Sequence, residues 1–420
     1  MSGQRKLKIA FIHPDLGIGG AERLVLDIAV ALKSSGHRVR FLTNHYDPSH
    51  AFDELKTGEF PVEVYGDWLP RSICGRFQAF CAYIRMIYLS IMYLLFYKHE
   101  HKPDVYFTDL IPVANAFLRL FNEKVVYYCH HPDLLASAPG GSLKKLYRMP
   151  INWLEMFTTG LAGVILVNSQ YTASVFRATF PTLTNDIQIL YPTIADSYQK
   201  TVSRLKKPKP IESLVPEIKK PGKKIVFLSI NRYHPAKKLE FAVLALDKLR
   251  QLISKEDWDV TYLILAGGYD PQSGVNAITY LDLVNLTKDK KLEGKVVFLK
   301  SPNDNLKAEL LNSCTCLVYT PVNEHFGIVP LEAMMVSKPV IAVNSGGPRE
   351  TVNHGVTGYL CEPTPDSMAE FMARIVDGNS EEMGIKGKSW LEEQFSYDQF
   401  KSSLFKVLDK LCSGPSSKKD

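Results

Sequence analysis

Several common protein classes are excluded by what this sequence lacks. Its seven cysteines, Cys74, Cys81, Cys129, Cys314, Cys316, Cys361 and Cys412, are scattered and odd in number, so they imply no disulfide framework. The one close pair, Cys314-x-Cys316, has the wrong spacing for a zinc knuckle and reads as core. Charge of one sign is nearly absent as a surplus: 50 Lys and Arg face 44 Asp and Glu, a net +6 that does not argue for nucleic acid. A long uncharged apolar run is also missing. The most apolar stretch, Phe77 to Tyr97, is interrupted by Arg85, and the part after it, Met86 to Tyr97, falls short of the roughly 20 residues a membrane span needs. Met1 to Lys8 enters a strand pattern without an apolar signal region, which places the body of the protein in the cytosol as an expectation. No G-x-G-x-x-G dinucleotide fingerprint occurs, and no repeat of a full two-domain unit.

What is present is a long α/β chain. At 420 residues, with 45% hydrophobic and 22% charged residues, it is globular and too long for one core. Strands are expected at Lys8–His13, Arg38–Thr43, Asp104–Thr108, Lys124–Cys129 and Val164–Ser169, and again at Ile225–Ile230, Val260–Ala266, Val296–Leu299, Cys316–Tyr319 and Val340–Val343. Between the two series, Lys200 to Lys224 holds four prolines and nine Lys or Arg against two Glu, the composition of a linker or exposed excursion. The expected division is 1–199, a linker at 200–223, a second domain at 224–395, a helix at 396–412 that packs back on the first domain, and a disordered tail at 413–420. Phe77 to Tyr97 carries apolar residues at helical spacing, flanked by Arg71, Arg76 and Lys98. It suits either a helix lying in a bilayer interface or a buried helix of the first domain.

Three strand ends carry candidate chemistry. After the first strand, Asp15-Leu-Gly-Ile-Gly-Gly-Ala-Glu-Arg places Gly19 and Gly20 before a helix, either a phosphate cradle or a plain βα turn. After Cys129 comes His130-His131-Pro132-Asp133; neighbouring histidines on extended chain point apart, so joint metal ligation is not expected. After Ile230, Arg232 and Lys237 can clamp a pyrophosphate or simply begin a solvated helix. Asp257-Trp-Asp259 precedes a strand instead of following one and reads as a loop, not a metal site. The most informative stretch is Tyr319 to Glu350. Glu324 is expected on a loop after a strand, and Glu332 in the first turn of a helix that contains Pro330. Gly327 permits close backbone approach there, and the free N–H groups of that helix start attract anions.

Glu324-His-Phe-Gly-Ile-Val-Pro-Leu-Glu332, with Gly346-Gly347 behind it, resembles the E-x(7)-E signature of retaining GT-B glycosyltransferases. Over nearly the whole chain the likeness is nearest to the dolichol-linked α-1,3/α-1,6-mannosyltransferases of N-glycan core assembly. It is carried by His13-Pro-Asp-Leu-Gly-Ile-Gly-Gly-Ala-Glu-Arg, Gly66-Asp-Trp-Leu-Pro, Cys129-His-His-Pro-Asp-Leu-Leu and the E-x(7)-E string. The resemblance implies two Rossmann-like parallel-sheet domains facing a cleft, GDP-mannose as donor, a dolichol-pyrophosphate-linked oligosaccharide as acceptor, and no metal cofactor. It places the enzyme on the cytosolic face of the endoplasmic reticulum membrane, with other mannosyltransferases of the pathway as candidate partners. By the same likeness, Glu324 lies beside the transferred sugar and Glu332 contacts the donor ribose. His130 approaches the sugar, while Arg232 and Lys237 serve the donor phosphates. Gly19, Gly20, Phe326, Gly327, Ile328 and Val329 complete the donor site. Asn231 and Lys238 stand where relatives carry glycines, leaving open which lysine reaches the phosphate. Another retaining transferase of this fold using a different nucleotide sugar or lipid, and an inactive sugar-nucleotide-binding scaffold, are the competing readings.

Overall fold

The computed structural model describes residues 6–96, 102–121, 123–136, 141–205, 207–219, 222–378 and 380–413. The expected tail lies, from residue 414 on, outside the described residues, as do Tyr97 and Lys98 at the end of the apolar stretch. The chain forms two compact units, Met1–Pro192 with Phe400–Asp420, and Thr193–Gln399.

The first unit is built on seven strands: β1 (Lys8–His13), β2 (Arg38–Thr43), β3 (Val62–Val64), β4 (Val105–Asp109), β5 (Val125–Cys129), β6 (Val164–Val167) and β7 (Ile187–Ile189). Their order is β3-β2-β1-β4-β5-β6-β7, and every pair is parallel. A parallel sheet covered on both faces demands strands apolar on both sides, which is why these segments read as continuous apolar runs. The edge strands β3 and β7 are three residues each and only half buried, so no such run announces them. Strand order reverses at β1, between β2 and β4, the kind of switch point at whose carboxyl end ligands bind.

The Gln78–Phe96 helix has one face in the core and one face exposed. Cys81, Tyr83, Met86, Leu89 and Tyr93 are buried, and Tyr83, Met86, Leu89 and Tyr93 join Ile12, Leu42 and Tyr106 in one core cluster. Phe80, Ile84, Ile91 and Leu95 are exposed. By length and composition the helix is apolar enough to cross a membrane. Its Arg85 is buried within the protein.

The second unit carries β8 (Ile225–Ile230), β9 (Thr261–Gly267), β10 (Val296–Lys300), β11 (Cys316–Tyr319), β12 (Val340–Val343) and β13 (Gly358–Cys361), parallel in the order β10-β9-β8-β11-β12-β13. The linker expected at 200–223 is corrected here. The division falls after Pro192, and the segment belongs to the second unit. Short helices Asp196–Ser203 and Ile211–Leu214 pack against the helix Asp304–Ser313. Ile211, Val215 and Ile218 are buried, one apolar face hidden among lysines and prolines that dominate the composition. Asp257-Trp-Asp259 is also not a loop: it lies in the one-turn helix Lys255–Asp259, where Ser254 caps the Asp257 N–H. From Phe400 on, the helix Tyr397–Ser413 groups with the first unit, where Phe405 lies 5.7 Å from the His37 ring and Lys410 bonds Asp186.

Candidate active site

In the second unit, β11 ends at Tyr319 and the chain turns through Asn323, which has a left-handed φ of 56°. Two contacts fix this turn. Ser345 Oγ donates to Asn323 Oδ1 at 2.7 Å, and Gly347 N donates to the Glu324 carbonyl at the same distance. Gly346 must lack a side chain, since a Cβ there would sit 2.2 Å from the Glu324 carbonyl oxygen. The loop bearing Glu324 is therefore bound to the Gly346-Gly347 turn after β12, which explains why the two motifs occur together.

The Glu324 carboxylate receives Lys237 Nζ, and both side chains are partly buried. The backbone of Lys237 is fixed as well, because its carbonyl accepts Thr320 Oγ1 at 2.6 Å. Lys238 turns away to Glu240 and adopts a left-handed φ of 50°, a conformation that suits the glycine expected there. Of the two lysines, Lys237 is thus the one that reaches Glu324. Arg232, five residues earlier on the same β8 loop, is exposed and pairs with no carboxylate among the described residues.

Gly327, at φ 83°, starts the helix Ile328–Met335. A Cβ on it would meet the Tyr319 ring at 3.1 Å. No side chain caps this helix, so the N–H groups of Gly327, Ile328 and Val329 form an anion-attracting end, and Pro330 has none to lose. The Phe326 side chain is buried, with its ring 6.0 Å from that of Phe395. Glu332 falls in the second helical turn, not the first as expected, because the helix begins two residues ahead of Pro330. It is buried, its Oε1 accepts Lys307 Nζ at 2.7 Å, and its Oε2 has no partner among the described residues.

The first unit gathers His13, Glu22, Asp109 and His130. Gly19 is the extended N-cap of the helix Gly20–Ser34, and Glu22 in its first turn folds back so closely that a Cβ on Gly19 would lie 2.2 Å from Glu22 Oε2. Gly20 faces open space. Asp109, at the end of β4, accepts His13 Nδ1 at 2.7 Å and lies 3.2 Å from His130 Nε2. His13 Nε2 faces Glu22 Oε1 at 3.6 Å. Burial alone would lower the pKa of His13, but Asp109 and Glu22 outweigh it and hold the imidazole up to about 10. Burial would likewise raise Asp109, yet His13 and His130 bring it below the usual carboxylate range. The result is a buried imidazolium–carboxylate pair supporting His130. Sequence reading missed Asp109 because 96 residues separate it from His13; the parallel register Ile12↔Thr108 brings them together. An aspartate closing a buried apolar strand was the available signal.

Residues 210–390 match the family described as glycosyl transferases group 1, and residues 18–197 match glycosyltransferase family 4. Among solved structures, a sucrose-phosphate synthase from Thermosynechococcus elongatus superposes with a TM-score of 0.76 at 18% identity, covering 98% of this chain and all of that one. Two Rossmann-like units carrying these motifs define a glycosyltransferase of the GT-B fold. The chain is 45% identical to the human alpha-1,3/1,6-mannosyltransferase ALG2, over 97% of this chain and 96% of that protein. It is 43% identical to the protein of that name from Dictyostelium discoideum, over 97% and 99%. It belongs to the alpha-1,3/1,6-mannosyltransferase family.

Proposed function

We propose that this enzyme transfers mannose from GDP-mannose, in α-1,3 and α-1,6 linkage, to a dolichol-pyrophosphate-linked mannosyl-chitobiose acceptor in N-glycan precursor synthesis. Full-length identity to mannosyltransferases of that double specificity is the observation that carries the reading. In the reaction, the bond from the anomeric carbon to the GDP oxygen breaks, and the acceptor hydroxyl oxygen forms the new bond on the same face. The hydroxyl proton passes to the departing phosphate. Negative charge grows on GDP, where Arg232, Lys237 and the N–H groups at Gly327–Val329 are suited to receive it. One such preorganised donor is commonly worth about 3–4 kcal/mol. Glu324 then holds the mannose and faces the positive anomeric carbon, and the open Oε2 of Glu332 accepts a ribose hydroxyl. By the family likeness, His130 approaches the transferred sugar.

These cationic groups are suited to stabilise leaving-group departure without a metal. The exposed face of the Gln78–Phe96 helix seats the enzyme on the endoplasmic reticulum membrane from the cytosolic side. Purified enzyme given the lipid-linked acceptor should consume GDP-mannose, not UDP-sugars, and should retain its rate in excess chelator. Turnover with a UDP-sugar alone, or chelator inactivation reversed by manganese, would contradict the respective part.

A further inference from the structure

A small concavity lies in the first unit, at the carboxyl ends of β1 and β2. It encloses about 270 Å³, and its lining includes Asp15, Asn44, Arg71 and Arg85 beside the apolar Pro14 and Ala82. That is slightly under the roughly 300 Å³ at which sites begin to enclose a whole drug-sized ligand, so it suits a headgroup-sized one.

Arg85 is the unusual member. A guanidinium is seldom buried without full pairing. Here the residue is 7% exposed, and only Nη2 is engaged, with the Asn44 carbonyl at 3.0 Å and, loosely, Asp67 Oδ1 at 3.4 Å. Asp67 gives that same oxygen to His45 Nδ1 at 2.8 Å. Neither Nε nor Nη1 of Arg85 donates to any described group, and Nε is sealed from solvent. Arg71 stands on the other wall, with Nη1 3.2 Å from Asp15 Oδ2. Burial and the nearby positive charge of Arg71 both press the pKa of Arg85 down, so the two guanidiniums repel each other across the cavity. Its lining carries two guanidiniums and the Asp15 carboxylate, with Asp67 also near Arg85, and Nη1 of Arg85 is left as an unused donor among the described residues. Planar forks in surplus are the means by which proteins grip phosphoryl oxygens bidentately.

The position adds to this. Arg85 projects from the buried side of the same helix that exposes Phe80, Ile84, Ile91 and Leu95. A group held between Arg71 and Arg85 would sit beside the helix that meets lipid, where the charged head of a lipid-anchored substrate emerges.

We infer that Arg71 and Arg85 form the subsite for the diphosphate of the lipid-linked acceptor, separate from the donor phosphate site at Arg232 and Lys237. This inference rests on the acceptor class in the proposed function. The test compares two synthetic acceptors bearing the same mannosyl-chitobiose, one on a phytanyl diphosphate and one on an uncharged phytanyl linker. Arg71→Gln, on an exposed side chain, should raise KM for the diphosphate acceptor about tenfold, the scale of one lost charge-assisted hydrogen bond. It should leave KM for GDP-mannose and turnover of the uncharged acceptor unchanged. Arg85→Lys, which keeps the charge and loses the fork, should act in the same direction, with its melting temperature checked because Arg85 also holds Asn44. Equal effects on both acceptors would assign the pocket to sugar and overturn the inference. So would weaker binding to phosphatidylserine vesicles with acceptor KM unchanged, which would assign it to bulk lipid headgroups, or no effect at all. Failure of the wild-type enzyme to mannosylate the diphosphate acceptor would instead defeat the proposed function.

Discussion

Lys307 holds one oxygen of Glu332 at 2.7 Å and leaves the other buried with no partner among the described residues. An unsatisfied buried acceptor is destabilising unless something supplies a donor, commonly by about 1–3 kcal/mol. A ribose hydroxyl would supply it. GDP should therefore raise the melting temperature of the wild-type enzyme clearly more than that of Glu332→Ala. Lys307→Met should act differently: it leaves a buried carboxylate unpaired, and breaking such a pair costs up to about 3–5 kcal/mol. Calorimetry of the three proteins with and without GDP checks both. An equal GDP shift in wild type and Glu332→Ala would remove Glu332 from the donor site.

The Lys237–Glu324 pair should separate activity from stability in the opposite way. Both side chains are partly open to solvent, so the pair contributes about 1 kcal/mol or less to folding. As a donor to the leaving phosphate, Lys237 should matter far more, because losing one such donor commonly slows turnover about 100- to 1,000-fold. Lys237→Ala is expected to melt within a few degrees of wild type and to be nearly inactive. Steady-state rates beside melting curves decide it, and a variant with half the wild-type rate would contradict the assignment.

The His13–Asp109 pair predicts a pH dependence of stability. His13 has a folded pKa of about 10 against an ordinary 6.5, so the folded state holds a proton that the unfolded chain releases. Its contribution is complete below about pH 6.5 and is lost as pH rises through about 10. Asp109, lowered from 3.8, contributes above that value and loses its part as pH falls below it. Melting temperature should decline from pH 7 to pH 10.5 in wild type, and less steeply in His13→Gln. Parallel curves would show that His13 is neutral in the fold.

Much of this architecture was legible because a parallel sheet buried on both faces writes its strands as apolar runs, and because Gly327 and Gly346 answer to local backbone demands that any reader of turns can see. Three features were not. The buried face of Ile211, Val215 and Ile218 was hidden by the lysines and prolines around it. The role of Asp109 depends on strand pairing, not on its neighbours in sequence. Arg85 looked like an interruption of an apolar helix, yet burial makes it part of a pocket with Arg71, from a loop fourteen positions away. Pattern reading finds groups that share an element; it does not find groups that meet because two elements fold together.

The exposed side of the Gln78–Phe96 helix should govern membrane attachment. Ile91 and Leu95 are exposed, whereas Met86 and Leu89 on the same helix are core. Ile91→Ser with Leu95→Ser should shift the enzyme from the membrane pellet to the soluble fraction with little change in melting temperature. Met86→Ser should instead unfold it, in keeping with the roughly 2–5 kcal/mol lost when a large core side chain is truncated. If the double variant stays with membranes at wild-type proportion, lipid contact lies elsewhere.

One donor site should make both linkages. The full string Glu324-His-Phe-Gly-Ile-Val-Pro-Leu-Glu332 occurs once, as does the Arg232–Lys237 clamp, and the donor is the same in each proposed step. Cleaving its sugar–phosphate bond requires the same stabilisation of departing GDP whichever hydroxyl attacks, so that part of the barrier is shared. The linkage must then be chosen by how the acceptor sits, where displacements of about 1 Å can change a rate roughly 100-fold. Glu332→Ala should accordingly slow both transfers by similar factors when GDP-mannose is limiting. Arg71→Gln or His130→Ala, at residues proposed to face the acceptor, should change the ratio of the two. The deciding measurement supplies the monomannosyl acceptor and each of the two dimannosyl acceptors separately to every variant and follows each linkage by its product. If Glu332→Ala abolished one linkage while the other ran at the wild-type rate, two donor sites would be required, and the single-site account would fail.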